Sequence, residues 1–96
     1  MRIRFEWDPA KALLNKQKHG VSLGEAQTVF YDENARIIAD PEDYEGEERF
    51  LLLGLSANPR ELVVCHCYRK SDSVVRIISA RRATKNEKAQ YWENLK

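Results

Sequence analysis

Val74–Leu95, VVRIISARRATKNEKAQYWENL, decides the fold of this 96-residue chain, because it holds a strand, a corner and a helix in succession. Val74, Val75, Ile77 and Ile78 form the β-branched run that a half-buried pleated surface favours. Thr84-Lys85-Asn86-Glu87 has the spacing of a capping box, in which the Thr84 hydroxyl and the Glu87 carboxylate each satisfy an orphan backbone N–H. A helix therefore starts there. Arg81 and Arg82 sit at the corner between the two elements. Adjacent strand residues point to opposite faces, so the two guanidiniums cannot share one task. At least one is expected to meet an anion near the positive end of the helix. Strict alternation puts Arg76 on the face of Ile78, Ala80 and Arg82, with Ser79 and Arg81 on the other.

Working back from this stretch, Glu61–Arg69 and Arg49–Ser56 read as two more strands. Their connections, Ala57-Asn58-Pro59-Arg60 and Lys70-Ser71-Asp72-Ser73, are built from turn residues, which predicts an antiparallel meander. Ala35–Ala39 is a further short strand. Between it and the meander lies Asp40–Glu48, DPEDYEGEE, with six carboxylates. At the front, Arg2–Trp7 alternates Ile3, Phe5 and Trp7 against polar residues, as a strand with one buried face does. Asp8-Pro9 then opens a helix with Asp at N-cap and Pro at N1. Leu13 and Leu14 are predicted to face inward, Lys11, Asn15 and Lys18 to share an exposed face, and Gly20 to end the helix in the left-handed conformation. Ser22-Leu23-Gly24-Glu25 reads as a second capping box, before a core stripe of Leu23, Ala26, Val29 and Phe30. The expected fold is one α+β domain over residues 1–96: a strand, a helical hairpin, a small antiparallel sheet of about four strands and a closing helix.

The 43% apolar content suits a globular domain. No apolar run approaches the roughly 20 residues of a membrane span, and MRIRFEW lacks a signal-peptide core, so the cytoplasm is expected. Cys65 and Cys67, two apart on one strand, are expected as free thiols. The net charge of +1 hides a dipolar chain: residues 1–48 carry −5 and residues 49–96 carry +6. A basic second half suits a polyanion, and the acidic loop suits a basic partner.

Cys65-His66-Cys67 has the residue types of a metal site, but on a strand the sulfurs face one side and the imidazole the other, without a second ligand pair at zinc spacing. No metal and no cofactor is expected. His66 shares its face with Leu62, Val64 and Tyr68, which favours a packed histidine over a proton carrier. His19, beside the Gly20 stop, complements the helix dipole. Arg69, Arg76, Arg81 and Arg82, with Lys85 and Lys88 beyond and Glu87 and Tyr91 on the last helix, suit an RNA backbone: guanidinium binds phosphate bidentately and a phenol stacks on a base. The alternative is that Arg81 or Arg82 pairs with Glu87 merely to lock the corner.

FEWDPAK…N..KHGVSLGEA..VF.D at the front, ERFLLLGLS in the middle and RIISARRATKNEKAQYWE at the end resemble the BrnT family of bacterial toxins across nearly the whole chain. The resemblance implies a RelE-like fold and a ribonuclease that arrests growth. It also implies a BrnA-type antitoxin that holds the toxin in a hetero-oligomer and alone contacts promoter DNA. Its signature residues here are Trp7, Asp8, Lys11, Asn15, Lys18, His19 and Gly20, then Glu48, Arg49 and Gly54, then Arg69, Arg76, Ser79, Arg81, Arg82, Glu87 and Tyr91. The expected chemistry is metal-independent endoribonuclease action, the ribose 2′-OH attacking its own phosphate. Arg69, Arg81 and Arg82 would stabilise charge, with Glu87 as base and His66 and Tyr91 as reserves. Lys11, Lys18, Arg76, Lys85 and Lys88 would bind RNA. The acidic loop, Trp92 and Leu95 are expected to meet the antitoxin. The rival class is a basic module that binds nucleic acid or a protein without chemistry.

Overall fold

The computed structural model describes residues 3–40 and 48–95; most of the acidic loop expected at 40–48 lies outside the described residues. Strands β1 (Arg4–Glu6), β2 (Arg36–Ile38), β3 (Phe50–Leu55), β4 (Glu61–Arg69) and β5 (Val74–Arg82) form one sheet in the order β1-β5-β4-β3-β2. Helices α1 (Pro9–His19), α2 (Leu23–Thr28) and a 3₁₀ turn (Val29–Tyr31) separate β1 from β2, and α3 (Lys85–Glu93) closes the chain. The meander and the helix order are as the sequence predicts. The four-stranded antiparallel, RelE-like sheet is corrected to five strands of mixed direction, because β1 joins β5 in parallel, Phe5 opposite Val75. That pairing puts Phe5 against the apolar layer containing Val75 and Ile77.

Both sheet faces are apolar. Val29, Leu52, Leu62, Val64 and Ile77 pack under the helical hairpin, and Leu51, Leu53, Val63, Cys65 and Tyr91 pack on the α3 side. A β-bulge shifts the alternation along β5: Cys65 pairs with Ser79 and His66 with Ile77, leaving Ile78 as the extra residue. Residues opposite each other across a ladder share a face. Cys67, Cys65 and Val63 therefore bring Arg76, Ser79 and Arg81 to the α3 side together. This corrects the expectation that Arg76 shares a face with Ala80 and Arg82. One inserted residue inverts every side chain beyond it.

The first helix also differs from its periodicity. Leu13 and Leu14 are each 62% exposed, whereas Asn15, placed by the sequence on the outside, is 6% exposed. The reason is an unpaired strand edge. β1 covers β5 only at Val74–Arg76, so Ala80 lacks a ladder neighbour on that side. Asn15 supplies one: its Nδ2 donates to the Ala80 carbonyl at 2.9 Å and its Oδ1 accepts from the Ala80 N–H at 3.1 Å. The same Nδ2 donates to the Val21 carbonyl at 2.9 Å. A side-chain amide thus stands in for a strand and pins α1 and the following turn to β5.

The Ser22 hydroxyl caps α2 through the Glu25 N–H at 3.0 Å. The Glu25 carboxylate does not return the bond, so the second capping box is half formed. It binds the Arg60 guanidinium and the Ser56 hydroxyl instead, and chiefly that guanidinium holds its carboxyl at about 2. The box at Thr84 and Glu87 is complete. At Gly54 a Cβ would lie 2.8 Å from the Ala35 Cβ and 3.0 Å from the Asp32 carboxylate. Only glycine lets the chain after the 3₁₀ turn lie this close to β3.

Candidate nucleic-acid interface

The corner between β5 and α3 is built around an ion pair. Arg81 Nη1 donates to Glu87 Oε1 at 2.8 Å and Nη2 to Oε2 at 2.9 Å, a bidentate fork. Glu87 Oε1 also accepts the Thr84 N–H at 2.8 Å. The Arg81 guanidinium above all, with the capping N–H, holds the Glu87 carboxyl at about 2 against the cost of burial. Both oxygens are engaged and the basicity is low, so Glu87 is a weak proton acceptor and a strong anchor. The Arg81 side chain is 38% exposed and keeps an open edge toward solvent.

The expected convergence of arginines on this carboxylate is not formed. Arg82 pairs across from Leu62, on the opposite face from Arg81. Its charge, like that of Lys88, acts on Glu61, whose carboxyl is lowered chiefly by the Trp92 indole N–H at 3.0 Å. Arg69 lies opposite Val74, roughly 20 Å along the sheet from Arg81 at about 3.3 Å per residue. Arg76 is paired with Glu6 at 2.8 Å.

The two reserve groups are interior. Tyr91 is 1% exposed, and its hydroxyl donates to Asp32 Oδ2 at 2.7 Å. Burial and that carboxylate push its phenol upward. Burial pushes the Asp32 carboxyl up, but the Leu55 N–H, the Tyr91 hydroxyl and the Asn34 N–H outweigh it, and the net shift is downward. This Asp32–Tyr91 tie, which joins the end of the 3₁₀ turn to α3, has no signature in the sequence.

His66 is fully buried, ringed by Phe30 at 4.9 Å, Tyr68 at 5.4 Å and Phe50 at 6.0 Å between centroids. Its Nδ1 lies 3.2 Å from the Val64 carbonyl, and its Nε2 has no hydrogen-bond partner among the described residues. Burial lowers its pKa below 6.5, with the Val64 carbonyl opposing. The unfolded chain therefore binds the proton more readily, and folding stability from this group is complete above about pH 6.5 and falls as pH drops below it. Chemical denaturation between about pH 5 and 7 is expected to show this slope, at most about 1.4 kcal/mol per pH unit. In His66→Phe, which fits the aromatic cage, the slope between about pH 6 and 7 should be lost, while that from the carboxyls held low by their partners remains toward about pH 5. A slope unchanged in that variant would remove His66 from the account.

What the fold does assemble is a basic groove. Lys11, Leu14, Asn15, Lys18 and His19 from α1 face Ile78 and Ser79 of β5 across a cleft of about 280 Å³. No carboxylate lines it. Lys11, Asn15, Lys18 and His19 fall at i, i+4, i+7 and i+8, one side of a helix. Asn15 sits at the base, hydrogen-bonded to β5, and the two lysines are exposed above it. Ser79 and Arg81 are alternate residues on one face of β5, about 7 Å apart along the strand. Ser79 in the wall of the groove is thus two residues before Arg81 at the corner, and Lys85 opens α3 beyond it. The sequence marked Lys11 and Lys18. It missed Asn15 as their support and His19 as a groove residue, although the helical spacing of the four was the signal.

Among the described residues no group of three His, Cys, Asp or Glu side chains is placed to hold a metal ion. Cys65 and Cys67 are buried reduced thiols, and burial above all pushes the Cys65 thiol up. No helix among these residues is long and apolar enough to cross a membrane.

A family model described as the ribonuclease toxin BrnT of type II toxin–antitoxin systems matches residues 7–87. The crystal structure of the Brucella abortus ribonuclease toxin BrnT superposes with a TM-score of 0.65 at 19% identity, covering 86% of this chain and 99% of that one. At that identity the likeness is one of fold. No curated protein matches in sequence.

Proposed function

The chain belongs to the BrnT family of ribonuclease toxins of type II toxin–antitoxin systems, and from that premise we propose a metal-independent endoribonuclease that cuts cytoplasmic RNA. The ribose 2′-OH attacks the adjacent phosphodiester, and growth stops until a BrnA-type antitoxin binds. The observation that carries this reading is the carboxylate-free groove holding Lys11 and Lys18, with Ser79 in its wall two residues before Arg81. A polyanion is attracted along its length. Arg81, held by Glu87 before any substrate arrives, is a preorganised donor for charge developing on the phosphoryl oxygens. Glu87 acts as its positioning residue. Lys85 extends the cationic track, Lys88 lies beside it near Glu61, and Arg82, on the other face of β5, does not join it. Arg69, Arg76, His66 and Tyr91 stand outside the reacting centre in this proposal.

Trp92 and Leu95, 46% and 40% exposed on and just after α3, offer apolar surface to the antitoxin, through which promoter DNA is reached. The test is incubation of purified protein with RNA in excess EDTA. Cleavage should persist; loss of cleavage would show that a metal is needed, and intact RNA in a stable complex would favour a binding module. RNA affinity is expected to weaken with salt, and Lys11→Ala/Lys18→Ala should flatten the log–log slope by about 0.7 for each phosphate the protein no longer neutralises. An unchanged slope would remove the groove from the interface.

A further inference from the structure

We propose that His19 is the proton acceptor of the cleavage reaction, beside a scissile phosphate held by Lys11 and Lys18 between α1 and β5. This deepens the ribonuclease reading and rests on it. The sequence accounts for His19 as a cation at the end of α1, but that end is already closed. Gly20, at φ 70°, donates its N–H to the Lys16 carbonyl at 2.9 Å, and Lys16 and Lys18 bring positive charge to the same turn. Capping leaves the imidazole without a task.

Its position suggests one. His19 follows buried Asn15 by one helical turn, on the stripe facing β5, and is half-buried at the wall of the groove. Because Asn15 is tied to Ala80 and Val21 by three hydrogen bonds, the backbone carrying the imidazole is fixed against the sheet. Among the described residues no hydrogen bond or ion pair engages the ring itself. The chain has two histidines, and the other, His66, is fully enclosed. Imidazole is the side chain best suited to take a proton in neutral solution. Here it is the accessible one, in the groove where two ammonium groups would hold a phosphate.

The step balances without a co-reactant. His19 takes the 2′-OH proton as the 2′-oxygen forms a bond to phosphorus. The bond from phosphorus to the 5′-oxygen breaks with its electron pair on that oxygen, which is protonated from water. The imidazolium returns its proton to the hydroxide left behind. The products are a 2′,3′-cyclic phosphate and a 5′-hydroxyl. The charged groups that share the groove with the imidazole are Lys11 and Lys18 on its own helix, with Lys16 in the same last turn. Arg60, from the β3–β4 turn, donates to the Gly20 carbonyl at 3.2 Å while bound to Glu25 of α2. From β5 the groove receives Ile78 and Ser79, neither charged.

The experiment compares wild type with His19→Ala on RNA in EDTA, with an uncleavable 2′-O-methyl RNA of the same sequence as a binding control. Wild type should release cyclic phosphate ends. His19→Ala should keep most of its affinity for the control RNA, through Lys11 and Lys18, but cleave about 10²–10⁴-fold more slowly. Added imidazole should restore part of the rate, and the wild-type pH–rate limb due to the base should be missing from the variant. Full activity in His19→Ala overturns the inference and leaves the ribonuclease reading intact. So does a slowed variant with an unchanged pH profile and no response to imidazole, which assigns His19 a structural role. Absence of cleavage by wild type overturns the ribonuclease reading itself and the inference with it.

Discussion

Asn15→Leu is expected to lower the unfolding free energy by about 3–5 kcal/mol, since each buried polar group left without a partner costs about 1–3 kcal/mol. Three are orphaned at once: the Ala80 N–H, the Ala80 carbonyl and the Val21 carbonyl. A small domain has about 5–15 kcal/mol in all, so the variant should sit near its threshold. The size of leucine is comparable, which separates lost hydrogen bonding from a cavity. Denaturant titration checks this, with Lys16→Ala on the exposed side of α1 as a control expected within about 0.5 kcal/mol of wild type. A loss below about 1 kcal/mol for Asn15→Leu would mean that α1 is not held to β5 through this amide.

Arg81→Ala is expected to cut the rate of RNA cleavage by about 10²–10³, the usual effect of removing one preorganised donor to an oxyanion. The effect should fall on kcat, because charge on the phosphoryl oxygens builds in the transition state. Stability should change little: the Arg81 side chain is 38% exposed, and ion pairs with that much solvent contribute about 0–1 kcal/mol. Glu87→Gln keeps one acceptor for the capping N–H and should lose less activity, through a guanidinium less firmly aimed. If Arg81→Ala cleaves RNA at the wild-type rate with an unchanged fold, the corner has no part in the chemistry.

Much of this architecture was legible because local signals agreed. The Thr84–Glu87 capping box, the Asp8-Pro9 helix start, the Gly20 stop and the turns of the meander each act within a few residues, and each forms as read. What failed was non-local. The parallel partnership of β1 with β5 leaves no periodicity in either strand. The bulge at Ile78 inverts the face of Arg76 relative to Arg82 with no glycine to announce it. Asn15 reads as a surface amide until the bare edge of β5 is known, and Leu13 and Leu14 read as core until that amide takes the inward position.

The site divides along the same line. Positive charge in the second half of the chain and the pairing of Arg81 with Glu87 were visible in residue type and spacing. The packing of His66 was read from its strand neighbours and holds, whereas the burial of Tyr91 was not visible, because it depends on the Asp32 carboxylate brought from a distant segment. Nor was the separation of Arg69 from Arg81, because both lie on the long β4–β5 hairpin but toward opposite ends.

The path of the RNA is tested most directly by NMR titration of 15N-labelled protein with an uncleavable 2′-O-methyl oligonucleotide. Chemical-shift changes are expected to concentrate on Lys11, Asn15, Lys18, His19, Ser79 and Arg81, along one side of α1 and the adjoining end of β5. Changes confined instead to the hairpin tip at Arg69–Ser73, with α1 silent, would contradict that path.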